Sequence, residues 1–130
     1  MLFRSLRLRA WRPEVAHGGL QGGPLRRGRP LRLPGDFGFN QAIITLGGDG
    51  SVVIDGDDIY RIAPVAVEAI DTTGCGDAFM GTVLAGLASG HALADSAQLA
   101  SYVSAYAATG FGAQASYGTA AQIRERFGAK

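Results

Sequence analysis

Asp71-Thr72-Thr73-Gly74-Cys75-Gly76-Asp77-Ala78-Phe79 sets an acid on either side of a run of small residues and leads straight into an apolar pattern of helical period. Gly74, Cys75 and Gly76 let the backbone bend tightly and approach a ligand. The helix that follows aims its unpaired N–H groups and the positive end of its dipole at the same spot. A phosphate would be held there by the main chain. Asp77 falls in the first helical turn, where a carboxylate is favoured electrostatically and can take a proton from a hydroxyl placed beside that phosphate. Phosphoryl transfer is the chemistry this arrangement points to. The competing reading makes Thr72 or Thr73 an ordinary N-cap and Asp77 a surface acid that complements the dipole. Each feature alone fits both readings, whereas the stretch as a whole fits the first better.

Upstream of this stretch the pattern is that of strands. Residues 42–46 are a short β-branched run that reads as a buried parallel strand, ending in the glycine turn 47–50. Residues 51–54 and 59–62 read as two further strands, and Asp55-Gly56-Asp57-Asp58 between them is turn chemistry. That acidic cluster lacks the spacing and the distal glutamate of an EF-hand loop, so a solvated hairpin turn is expected. Pro64 breaks the pattern and residues 65–70 read as an extended lead-in. Downstream, residues 78–89 place Phe79, Val83 and Leu87 on one helical face, with Gly90 as the stop. Residues 95–109 form an alanine-rich helix with Leu99, Val103 and Tyr106 near one side, closed by Gly110. Thr119-Ala120-Ala121-Gln122 is a capping box opening a last helix, whose C-terminal end Arg126 and Lys130 favour. Strands followed by alternation with helices indicate an α/β sheet whose ligands gather at strand ends and helix N-termini.

Composition narrows the class. A chain of 130 residues, 47% hydrophobic and 18% charged, is long enough for one domain with a core. Its single cysteine excludes an intramolecular disulfide, and no Cys/His cluster suits zinc. No apolar run is long enough to span a bilayer and no signal core opens the chain, so a soluble protein of the reducing cytoplasm, without a membrane partner, is expected. The net charge of +1 hides an asymmetry: up to Gly35 eight arginines face Glu14 alone, whereas the remainder carries four basic and ten acidic residues. Residues 1–37, rich in Arg, Gly and Pro without period, are expected to be disordered or foreign to the domain that occupies 38–130. A basic arm for nucleic acid is the sharper reading of that segment. Basic tracts are weak motifs, and no nucleic-acid partner is expected.

DTTGCGDAF resembles the DTTGAGDAF signature of the PfkB carbohydrate kinase family, the ribokinase-like kinases, with Cys75 where alanine is usual. The resemblance extends from Ile43-Ile44-Thr45-Leu46-Gly47-Gly48-Asp49-Gly50 to Gly112-Ala113-Gln114-Ala115-Ser116, and what it matches is the C-terminal portion of a family member. It implies a ribokinase-like, Rossmann-type layered α/β fold, here the C-terminal part of the sheet with its flanking helices. It further implies an ATP-dependent phosphotransferase that moves the γ-phosphate to a hydroxyl of a small sugar. By resemblance, Asp77 is the catalytic base, and Gly74, Cys75 and Gly76 supply the main-chain anion hole. Thr45, Gly47 and Gly50 match the family's turn against the nucleotide, and Ser101 stands where many members have an asparagine near the adenine. Asp71 and Thr73, with the backbone around Ala107, Gly110 and Gly112 and the hydroxyl of Ser116, resemble the family's monovalent-cation site. One carboxylate among carbonyls suits K⁺, and Mg²⁺ is expected to arrive with the nucleotide phosphates.

The same resemblance marks what is missing. In the family the sugar is held largely by the N-terminal part, which is not recognisable here, so this chain is expected to be a fragment whose activity alone is in question. A non-catalytic nucleotide-binding remnant or interaction module is the alternative. A sheet cut in half would expose an apolar edge and favour self-association. A thiol at a helix N-terminus can have a lowered pKa, though no redox role is expected of Cys75.

Overall fold

The computed structural model describes residues 40–128. The segment 1–37 and the terminal Lys130 lie outside the described residues. Three strands, β1 (Gln41–Thr45), β2 (Ser51–Asp55) and β3 (Asp58–Ile62), pair in the order β1-β2-β3. Both pairings are antiparallel, which corrects the parallel strand expected at residues 42–46. A parallel crossover needs a dozen or more residues. The link from β1 to β2 is a single 3-10 turn, Gly47–Asp49, closed by the Leu46 amide on the Gly50 carbonyl at 2.8 Å. β1 is also more open than expected, with Gln41, Ile44 and Thr45 exposed. The hairpin turn between β2 and β3 forms where the acidic cluster predicts it, with Asp55 paired to Asp58.

The register puts Ile43 opposite Val53, Val53 opposite Tyr60, and Ser51 opposite Ile62. Because side chains alternate along a strand, these residues share one face, and the helices cover it. Helix α1 (Cys75–Ala88) buries Ala78, Phe79, Val83 and Gly86; α2 (Leu93–Ala108) buries Leu93, Ala94, Ala97, Leu99 and Ala100. Val53, Ile62, Phe79, Val83, Leu93, Ala94, Ala97 and Ala100 form one core cluster, with Ile43 and Tyr60 packed on its flank. The alanines of α2 let α1 and the sheet approach its axis closely. Leu87 leaves the face assigned to it and is 38% exposed, Gly86 taking the inward position one residue earlier.

A third helix, α3 (Ala120–Phe127), opens with the predicted capping box: Thr119 Oγ1 accepts from the Gln122 amide at 3.3 Å and the Thr119 amide donates to Gln122 Oε1 at 2.8 Å. It holds to α2 through buried Ile123 and the rings of Tyr102 and Phe127, 5.4 Å apart. Residues 63–74 run without regular structure from β3 to α1, as Pro64 and the extended lead-in predict. This segment is fastened to α2 where the amides of Ile70 and Asp71 both donate to the Ala108 carbonyl, at 2.7 and 3.2 Å.

Candidate active site

Helix α1 starts at Cys75 with Gly74 as its N-cap, in the left-handed conformation (φ 78°) and without any side-chain cap. Neither Thr72 nor Thr73 caps the helix, which removes the N-cap half of the competing reading. The turn is made by main chain instead: the Cys75 amide donates to the Thr72 carbonyl at 3.2 Å and the Ala78 amide to the Gly74 carbonyl at 3.0 Å. Gly74 has no room for a side chain, because a Cβ there would lie 2.8 Å from Ala113 Cβ and 2.9 Å from Tyr117 Oη. The turn is therefore pressed against the loop that follows α2.

Asp71 ties the same loop from the other side. Its Oδ1 accepts the Thr73 amide at 2.9 Å, and its Oδ2 accepts the Gly112 amide at 3.0 Å. The side chain of Thr73 foremost, then the amides of Thr73 and Gly112, hold the Asp71 carboxyl below its ordinary value of 3.8. A depressed carboxylate stabilises the fold fully above its unfolded value and loses that contribution as pH falls through the lower folded one. Asp71→Asn should therefore melt below the wild type at pH 6, and the difference should close as the pH is lowered past 3.8. Thermal melts of both proteins between pH 6 and pH 2 check this, and a pH-independent gap would sink it.

The groups matched to a cation site converge in part. Ser116 Oγ is buried and donates to the Gly112 carbonyl at 2.6 Å, so Asp71, Thr73, Gly112 and Ser116 are joined through one peptide loop. The carbonyl of Ala107 accepts the Gly110 amide at 3.3 Å, and the neighbouring Ala108 carbonyl accepts the Asp71 amide. Gly110 packs against Ser116, with 3.0 Å from a notional Cβ to Ser116 Cβ. Among the described residues no three His, Cys, Asp or Glu side chains gather to hold a metal. An oxygen-rich loop with one low-pKa carboxylate is the donor set a monovalent cation prefers over zinc.

Thr45, Gly47 and Gly50 from the first turn and Cys75 and Gly76 from α1 line one cleft of about 540 Å³, and Ser101 closes it from α2. Ser101 spends its hydroxyl proton on the Ala97 carbonyl at 3.0 Å. The sequence did not single out the other walls, which are Pro64 to Val67 on one side and Ser104, Ala105 and Ala108 on α2. They come from an aperiodic segment and from the polar-to-small face of an alanine-rich helix, and neither carries a motif. Asp77 is exposed in the first turn of α1, beside the cleft residue Gly76. The Cys75 thiol departs from the expectation for a helix N-terminus. Burial first, then the charge of Asp71, push it above its ordinary 9.0.

The model of the pfkB family of carbohydrate kinases matches residues 33–120. This chain belongs to that family. Within it, the chain is similar to the ATP-dependent 6-phosphofructokinase of Thermoanaerobacterium thermosaccharolyticum (44% identity over 71 residues, 55% of this chain and 22% of the relative). It is also similar to the ribokinase of Lactococcus lactis (37% over 75 residues, 58% and 25%). Among solved pfkB-like structures it superposes on aminoimidazole riboside kinase from Salmonella enterica, complexed with aminoimidazole riboside and an ATP analogue. There the TM-score is 0.65 at 32% identity, covering 69% of this chain and 32% of that one. The nucleoside kinase of Burkholderia thailandensis in complex with inosine gives a TM-score of 0.62 at 38% identity, covering 68% and 29%. The chain thus spans about a quarter of the length of the curated relatives it matches. The strands and helices described above are the pfkB, ribokinase-like fold in part, an α/β arrangement with helices on one face of an antiparallel sheet.

Proposed function

We propose that this chain carries the nucleotide and phosphate machinery of a kinase that moves the γ-phosphate of ATP to a hydroxyl of a small sugar. The observation that carries this reading is the single cleft that joins the Thr45–Gly50 turn to the N-terminus of α1, with Asp77 one residue from its edge. Phosphoryl transfer needs positioning and fixed dipoles more than covalent chemistry. The Gly74 and Gly76 amides are the main-chain donors for the charge that spreads over the transferred group, while the Cys75 amide of the expected anion hole closes the turn on the Thr72 carbonyl and shapes it. Asp77 accepts the proton of the attacking hydroxyl. Gly47 and Gly50 let the first turn lie against the nucleotide, Thr45 offers it a hydroxyl, and Ser101 borders the base. Mg²⁺ enters with the phosphates and neutralises their charge. K⁺ is the cation we assign to Asp71, Thr73, Ala107, Gly110, Gly112 and Ser116, where it would stiffen the loop that backs the turn. Calorimetric titration with ADP should show one saturable site, and absence of heat at millimolar ADP would overturn the reading.

A non-catalytic nucleotide-binding role is the second reading. It keeps ADP binding and predicts no sugar-dependent ADP release with any pentose or hexose, which a coupled assay distinguishes. The open apolar surface bears on how the chain exists in solution. Met80 and Leu84 are 53% and 59% exposed and share the outer face of α1 with Leu87, while Ile44 and Leu46 open the β1 end. The larger exposure lies on this helix rather than on the sheet edge, and a second copy can cover it. Light scattering should show a mass rising with concentration, and Leu84→Glu should return the protein to a monomer. A wild-type monomer at high concentration would contradict this.

A further inference from the structure

Two hydroxyls reach into the turn at residues 74–76 from distant parts of the chain. Tyr117 Oη donates to the Gly74 carbonyl at 3.0 Å across 43 residues, and Ser104 Oγ donates to the Cys75 carbonyl at 3.1 Å across 29. Each carbonyl shares a planar peptide unit with the following nitrogen. The Gly74 carbonyl is paired in this way with the Cys75 N–H, and the Cys75 carbonyl with the Gly76 N–H. A donor on the carbonyl oxygen fixes the plane of the unit and polarises it, so that the N–H opposite becomes the stronger donor.

The two amides have different tasks. The Cys75 N–H closes the turn on the Thr72 carbonyl at 3.2 Å. The Gly76 N–H belongs to the first helical turn, where no intrahelical acceptor exists, and Gly76 lines the cleft. Tyr117 thus grips the unit that shapes the turn, and Ser104 grips the unit whose N–H belongs to the cleft-lining Gly76. The Gly74 carbonyl already accepts the Ala78 amide at 3.0 Å, so Tyr117 fills its second lone pair. Packing does not demand either hydroxyl. Tyr117 is 37% exposed, and Ser104 belongs to the cleft-facing side of α2.

We propose that Ser104 and Tyr117 are positioning residues that set the orientation and donor strength of the phosphate-facing amides, Ser104 through Gly76 and Tyr117 through the Cys75 turn bond. This rests on the nucleotide reading of the cleft for its functional meaning. The test uses three conservative variants of the full chain, Ser104→Ala, Ser104→Thr and Tyr117→Phe, with two-dimensional ¹H–¹⁵N spectra and ADP calorimetry. In Ser104→Ala the Gly76 cross-peak should move further than any from α3, in Tyr117→Phe the Cys75 cross-peak should do so, and Ser104→Thr should return Gly76 toward its wild-type position. ADP affinity should fall about two- to tenfold in Ser104→Ala, the range for one hydrogen bond, and recover in Ser104→Thr. Cross-peaks of Gly76 and Cys75 that move no more than those of α3 would overturn the proposal, as would equal loss of ADP affinity in both Ser104 variants. If the wild type binds no ADP, the nucleotide reading fails while the cross-peaks still decide whether these hydroxyls orient the turn.

Discussion

Asp77→Asn is expected to slow sugar-dependent ADP formation about 10²- to 10⁴-fold, the usual worth of a positioned general base, with ADP affinity retained. Asparagine keeps the size of the side chain and its place in the first turn of α1, where Asp77 is exposed, so the fold is not at stake. What it loses is the capacity to take a proton. In the proposed reading the nucleotide is held by main chain and by the Thr45–Gly50 turn, both of which line the cleft, and the substitution leaves them alone. Removal of a negative charge beside an anionic ligand acts, if anything, in favour of binding. The split between rate and affinity is therefore the diagnostic. A fall in affinity that matched the fall in rate would make Asp77 a binding residue, and an unchanged rate would remove it from the chemistry.

The elements with strong local signals were legible from the residues. The capping box at Thr119 and Gln122 forms as written, because its reciprocal bonds depend on residues three apart. The three strands lie within a residue or so of their expected positions, since alternation and turn residues are local. The direction of β1 was in reach as well: five residues between strands exclude a parallel crossover. The buried look of Ile43-Ile44 suggested otherwise, yet the structure leaves Ile44 44% exposed. The motifs of the candidate site stand out in the sequence, whereas the contacts that support them do not. Asp71 reaching Gly112 across 41 residues, and Tyr117 reaching Gly74, are tertiary meetings that no spacing encodes. Cys75 shows local reasoning outweighed by context. A helix N-terminus lowers a thiol pKa, but burial and the neighbouring Asp71 charge act the other way and prevail.

Gly50→Ala should be the most damaging small substitution in the first turn. Gly50 holds φ 90° and ψ −141°, a region that costs a side chain-bearing residue about 1–3 kcal/mol. Space is also lacking: an added Cβ would collide with the Ile62 carbonyl oxygen and sit 3.0 Å from the Pro64 nitrogen and 3.1 Å from the Ala63 carbonyl carbon. These are backbone atoms, so no rotamer change relieves them, and overpacking adds about 1–3 kcal/mol more. For a domain of this size such a loss lowers the melting temperature by at least about 10 °C. The turn joins β1 to β2 through the Leu46 amide on the Gly50 carbonyl and forms one wall of the cleft with Pro64 and Val65. ADP binding should therefore weaken together with stability. Gly48→Ala is the control, because Gly48 lines the same cleft with nothing within 4 Å of a notional Cβ. Its melting temperature should stay near that of the wild type, consistent with surface substitutions of about 0.5 kcal/mol or less. Equal melting of the two alanine variants would refute the steric account of the turn. A Gly50→Ala protein that melted early yet bound ADP normally would separate the turn from the nucleotide site.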